Sequence, residues 1–204
     1  MTDESVFEVG KNIATTEGAV VYENELMQLI QYSPLTPKVG TRPLVVVPPC
    51  INKFYIMDLQ PDNSLIRFMV DQGNTVFLVS WRNPSEAHAQ VGWDDYLEQG
   101  PITALHIAQE ITKVKQVNAL GFCVGGTILT SALAVLKERG EDPVASLTLL
   151  TTLLDFSDTG EIGLFIDEQG VTAREGTIGK GGLLPARDLA NTFSFLRAND
   201  LVWN

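Results

Sequence analysis

A strand, a tight turn and a helix are compressed into nine residues, Ala119-Leu120-Gly121-Phe122-Cys123-Val124-Gly125-Gly126-Thr127, and that compression limits what the chain can become. Residues 117–120 read as a strand that leads into the turn. Residues 124–136 are apolar nearly all round, as expected of a central helix packed against a sheet. A side chain at the apex of such a turn sits on a strained backbone, and small residues two positions to either side let strand and helix pass close together. Gly121 and Gly125 hold those two places, Gly126 follows, and Cys123 stands at the apex.

The apex has a chemical logic as well as a steric one. A cysteine just before a helix N-terminus faces free backbone N–H groups and the positive end of the helix dipole, both of which stabilise negative charge on sulfur. The same N–H groups, that of Val124 above all, are where an oxyanion would be held during attack on an acyl carbon. A lone cysteine is more often a small apolar filler. Two glycines at these offsets favour a nucleophile over a filler.

With 204 residues, 45% of them hydrophobic, the chain can bury a sizeable core. The net charge of −11, from 25 acidic against 14 basic residues, argues against nucleic acid and anionic membrane as general partners. Any phosphate-bearing substrate then needs a local basic group. Lys53 and Arg82, placed just beyond strand ends, are the candidates, with ordinary surface salt bridges as the competing role. No apolar run is long enough to span a bilayer, and Met1-Thr2-Asp3-Glu4-Ser5 has neither the basic nor the apolar part of a signal peptide. The expectation is a cytosolic protein whose two cysteines are reduced.

Along the chain, residues 19–22 and 26–32 read as a hairpin turning at Glu23-Asn24. Residues 44–47 are a continuous apolar run stopped by Pro48-Pro49, as for a strand buried on both faces. A helix over 64–72 presents Leu65, Phe68 and Met69, and residues 75–80 form the next buried strand. A helical stretch over 96–112 is interrupted at Gly100-Pro101, where a fresh helix starts. Another buried strand covers 145–151. Strands alternating with helices predict an α/β, doubly wound, mostly parallel sheet. Two regions are expected: 1–154 as the N-terminal part of the sheet core, and 155–204 as a partial cap, Gly-rich and without a further strand. A sheet that stops after its sixth strand leaves an apolar edge open.

An acyl-transfer site needs a second oxyanion donor from the loop after the third strand. Pro48 and Pro49 have no N–H, so Cys50, Ile51 or Asn52 must supply it, and Ile51 is favoured. If strands three and five are neighbours, Cys50 and Cys123 come close at one sheet edge, where oxidation would join them and disable the site. A base and an acid should follow the nucleophile in sequence. His88 and His106 both precede Cys123: His106 falls on the far side of the sheet and His88 in a polar loop. Asp155 is the one early acid in a suitable place, with a capping or turn role equally open. A nucleophile without its base suggests a fragment.

The elbow, together with Val47-Pro48-Pro49-Cys50-Ile51-Asn52-Lys53, Ser80-Trp81-Arg82-Asn83-Pro84, Thr151-Thr152-Leu153-Leu154-Asp155-Phe156, Asn191-Thr192-Phe193-Ser194-Phe195-Leu196 and Asn199-Asp200-Leu201-Val202-Trp203-Asn204, closely resembles the polyhydroxyalkanoate synthases, most of all the class I enzymes. The resemblance runs essentially end to end. It implies an α/β-hydrolase-like fold and an intracellular acyltransferase. That enzyme polymerises (R)-3-hydroxyacyl-CoA, releases CoA and holds the growing polyester as a thioester on cysteine. Matched residue by residue, it makes Cys123 the nucleophile and Val124 an oxyanion amide, with Cys50-Ile51 lining the site. It implies no cofactor and no metal, since the substrate is itself a CoA thioester. The implied partners are the polyester granule surface and, in the full-length enzyme, a second copy of the chain. The family's catalytic aspartate and histidine lie beyond residue 204, and its helical N-terminal region is absent. Two rival readings stand beside it: a cysteine thioesterase or lactone hydrolase of the same fold, and a non-catalytic partner that keeps the elbow as architecture.

Overall fold

The computed structural model describes residues 4–160, 163, 166–180 and 182–196. Strand β1 (Gly18–Glu23) and strand β2 (Met27–Tyr32) pair antiparallel. Asn24 closes their turn: its Oδ1 accepts from the amides of Leu26 and Met27, both at 2.9 Å. Four more strands follow: β3 (Leu44–Val47), β4 (Val76–Trp81), β5 (Val117–Phe122) and β6 (Val144–Leu150). They assemble in the order β1-β2-β4-β3-β5-β6. β2 meets β4 antiparallel, and β4, β3, β5 and β6 run parallel.

Both faces of the central strands are covered, which is why their sequences are predominantly apolar. Alternation divides each strand between two cores. Val46, Leu78 and Leu120 face helix α1 (Leu65–Asp71), while Val45, Val47, Phe77, Val79 and Ala119 face helices α3 (Thr103–Thr112) and α4 (Val124–Glu138). The sheet is thus doubly wound, as the alternating pattern predicts.

The face of α1 differs from expectation. Its buried residues are Ile66, Met69 and Val70, whereas Phe68 is 60% exposed and Leu65 36%. Both triplets satisfy helical spacing; the rotation is set at the N-terminus, where Ser64 Oγ accepts from the Arg67 amide at 2.9 Å and donates to Asp58 at 2.6 Å. Asp58 is a buried carboxylate that also accepts from Thr16 Oγ1 at 2.6 Å, tying the segment before β1 to the start of α1. Tyr32 lies close by, and burial followed by the Asp58 charge pushes its phenol well above the ordinary range.

The helix predicted to restart at Gly100-Pro101 does so: the backbone at Gly100 leaves helical geometry, with φ −94° and ψ −107°. Helix α2 (Trp93–Leu97) runs up to that kink, and Pro101 opens the turn that leads into α3. Gly100 is required there because a Cβ would overlap the Trp81 indole.

The chain forms two units, one from residues 4–83 and 92–154, the other from 84–91 and the described residues beyond 155. In the first, the strand expected to be buried over 145–151 is instead the end strand β6, and with no further strand beside it among the described residues Ala145, Ser146, Leu147 and Thr148 are exposed. In the second, the described elements beyond 155 are helical: α5 (Glu168–Glu175), a single turn Ile178–Lys180 and α6 (Ala186–Leu196). Asp167 caps α5, accepting from the Gly170 amide at 2.6 Å. The motif Asn199–Asn204 lies outside the described residues.

Candidate active site

Cys123 sits between β5 and α4 with φ 54° and ψ −130°, a left-handed conformation that side-chain-bearing residues rarely adopt. Three crowded neighbours impose it. A Cβ on Gly121 would stand 3.0 Å from the Gly126 nitrogen and overlap its Cα; one on Gly125 would come within 2.5 Å of the Pro48 carbonyl oxygen; one on Gly126 would overlap the Thr152 side chain. The first turn of α4 is therefore wedged between the end of β3 and the segment after β6. Thr127 Oγ1 completes the fit by donating to the Leu153 carbonyl at 2.8 Å.

The backbone donors divide cleanly. Cys123 N–H extends the sheet by donating to the Leu150 carbonyl at 2.9 Å, and Gly126 N–H returns to the Cys123 carbonyl at 2.9 Å. Val124 and Gly125 are the first two helical residues, whose amides have no acceptor within the helix. Cys123 and Val124 are half-buried, so the apex is reachable from solvent.

Beyond β3, the loop Pro48-Pro49-Cys50-Ile51-Asn52-Lys53 offers four amides, those of Cys50, Ile51, Asn52 and Lys53. That of Asn52 donates to the Pro49 carbonyl at 3.3 Å. Among the described residues, no acceptor takes the Ile51 amide. β3 does neighbour β5, with Val47 opposite Gly121, and the two thiols, both free, lie near enough to influence one another. Burial pushes the Cys50 thiol up, its own amide pulls it down, and Cys123 adds a further push upward. A raised thiol stays protonated at neutral pH and unreactive. Iodoacetamide near neutral pH is accordingly expected to modify Cys123 at least about tenfold faster than Cys50, with Cys50 labelling rising only in alkali; peptide mapping by mass spectrometry measures both.

The remaining sequence candidates have local roles. His88 caps its own turn: Nδ1 lies 2.9 Å from Ser85 Oγ and accepts from the Ser85 amide at 3.1 Å. His106 Nε2 meets Glu141 Oε2 at 2.9 Å on the surface. Asp155 accepts from the backbone and side chain of Ser157, which hold its carboxyl below the usual range. Arg82 pairs with Glu23 at 3.2 Å. Lys53 is exposed and, among the described residues, has no ion pair; it precedes the single turn Phe54–Met57. Sequence reasoning missed two contributors, Thr152 over Gly126 and the Trp81 indole over Pro48. The second glycine of the pair after Val124 was the available sign of the former.

A sheet of this order, with a glycine-flanked bend bearing Cys123 after its fifth strand, has the α/β-hydrolase architecture, and the sequence matches the alpha/beta hydrolase fold family over residues 43–197. The chain belongs to that family. Its sequence kin within the fold are poly(3-hydroxyalkanoate) polymerases. It is 62% identical, over its whole length, to the poly(3-hydroxyalkanoate) polymerase subunit PhaC of Cupriavidus necator, covering 35% of that protein. It is 45% identical, again over its whole length, to the poly(3-hydroxyalkanoate) polymerase of Methylorubrum extorquens, covering 34% of it. The chain thus spans about a third of the length of these relatives. Residues 1–69 match the N-terminus of the poly-beta-hydroxybutyrate polymerase family. Within that stretch the described residues form mainly β1, β2, β3 and short turns. Among solved structures, the esterase rPPE superposes with a TM-score of 0.53 at 19% identity, over 80% of this chain and 51% of that one, a likeness of fold. The resemblance to the polyhydroxyalkanoate synthases and the α/β-hydrolase-like architecture read from the sequence are both borne out. Among the described residues, no helix is long and apolar enough to cross a membrane.

Proposed function

We propose that this chain carries the nucleophile side of the active site of a polyhydroxyalkanoate synthase, a cysteine acyltransferase that polymerises (R)-3-hydroxyacyl-CoA and releases CoA. The observation that carries the reading is Cys123 held at φ 54° at the head of α4, whose first amides have no helical acceptor. In this reading the Cys123 sulfur attacks the thioester carbonyl, the electron pair moves to its oxygen, and the Val124 and Ile51 amides hold the resulting oxyanion. Collapse expels the CoA thiolate and leaves an acyl group on Cys123. The 3-hydroxyl of an acyl acceptor then attacks that thioester, and Cys123 departs. A thiolate suits both steps, since it is a good nucleophile and a good leaving group. Cys50, kept protonated, lines the site without competing as nucleophile.

His88, His106 and Asp155 are occupied by local contacts, so the base and acid are assigned to parts of the polymerase outside these 204 residues. No cofactor is needed, because the CoA thioester brings its own leaving group. The proposed setting is cytoplasmic, at the surface of the polyester granule, with the full-length enzyme working as a homodimer. Incubating the full-length protein with (R)-3-hydroxybutyryl-CoA tests the reading. Insoluble polyester with stoichiometric CoA release is expected; free hydroxy acid without polymer would assign a thioesterase instead.

A further inference from the structure

Trp81 is the last residue of β4, only 8% exposed, and its indole Nε1 donates to the Pro48 carbonyl at 2.8 Å. That carbonyl is the first beyond the sheet pairing of β3, which ends at Val47 opposite Gly121. It also lies against the first turn of α4, where a Cβ on Gly125 would come within 2.5 Å of it. The indole is itself fixed from two sides. Gly100 leaves the space its ring fills, and the Tyr96 ring lies 5.5 Å away at 44°.

Pro48 and Pro49 have no N–H with which to anchor the loop. Its described anchors are the indole at the Pro48 carbonyl, the Asn52 amide at the Pro49 carbonyl and, at its far end, the Ile56 amide at the Lys53 carbonyl. The unpaired Ile51 amide lies three residues beyond the first anchor. We propose that Trp81 is a positioning residue whose indole N–H fixes the Pro48 carbonyl and thereby sets the Ile51 amide against the Cys123 elbow. The inference rests on the oxyanion role given to Ile51 above. It adds a residue of β4, outside the elbow and its loop, to what controls acyl transfer.

Two replacements remove the donor while keeping an aromatic body: Trp81→Phe, and β-(3-benzothienyl)alanine at position 81, in which sulfur takes the place of N–H at unchanged size. Three readouts are taken on the full-length protein. The kcat for (R)-3-hydroxybutyryl-CoA is expected to fall about tenfold or more with KM within twofold, as for a misplaced catalytic donor. Iodoacetamide alkylation of Cys123 is expected to stay within twofold, because that displacement forms no oxyanion. Hydrogen exchange at the Asn52 amide is expected to quicken, while the Gly126 amide is unchanged. An unaltered kcat, or acyl transfer and alkylation falling together, would overturn the proposal. If the unsubstituted protein transfers no acyl group, the functional reading fails instead, and the exchange rates still decide whether the indole holds the loop.

Discussion

Full-length protein carrying Cys123→Ala is expected to lose acyl transfer from (R)-3-hydroxybutyryl-CoA by at least about 10⁴-fold, the scale on which removing a nucleophile acts when oxyanion donors and binding remain. No other group in the described site can take over: Cys50 is the one other thiol, and burial holds it in the protonated form. CoA release and polymer formation should vanish together. A thermal melt supplies the control, because the alanine keeps the bend and its φ of 54°. Its midpoint should stay within a few degrees. Cys123→Gly should be equally inactive yet more stable by about 1 kcal/mol, since glycine adopts positive φ without strain. Residual turnover above a thousandth of the original rate would remove Cys123 from the mechanism.

Gly125→Ala is expected to be the most damaging single methyl in the molecule. The added carbon would meet the backbone carbonyls of Val47 and Pro48, held by the sheet and by the Trp81 indole, so neither can yield as a flexible side chain would. The first turn of α4 must shift instead. A destabilisation of about 3 kcal/mol follows from overpacking of this kind, which lowers the melting midpoint by roughly 10 °C in a chain of this size. Displacing the amides from the sulfur by a fraction of an ångström should also cost about 10²-fold in kcat. Gly40→Ala is the matched control: its Cβ would meet nothing nearer than the Gly73 carbonyl at 3.8 Å, and its effect on melting should be slight. Equal losses in the two variants would contradict the crowding argument.

The contrast between what was readable and what was not follows a physical line. Strands β3, β4 and β5 are mostly apolar because both faces are covered, and the elbow is local because its glycines are forced by contacts with neighbours on either side of the turn. Such features leave marks in the order of residues. The rotation of α1 left no such mark: Leu65/Phe68/Met69 and Ile66/Met69/Val70 fit the same period, and a hydrogen bond between Ser64 and Asp58 decides between them. The break at Gly100-Pro101 is legible because proline lacks a donor. The reason for the glycine there is not: an indole packs on it from another strand, nineteen positions earlier in the sequence. At the site, eliminating prolines leaves Cys50, Ile51 and Asn52 as candidate donors. That the Asn52 amide is taken by the Pro49 carbonyl is a matter of loop conformation.

The bend at Cys123 is enforced by groups other than the sulfur it presents: Gly121 against Gly126, Gly125 against Pro48, Gly126 against Thr152. The apex atom is consequently a free choice within a fixed frame. A hydroxyl in place of the thiol would inherit the same posture and the same nearby amides, so this architecture can exchange one acyl chemistry for another by altering a single atom, with no remodelling of its skeleton.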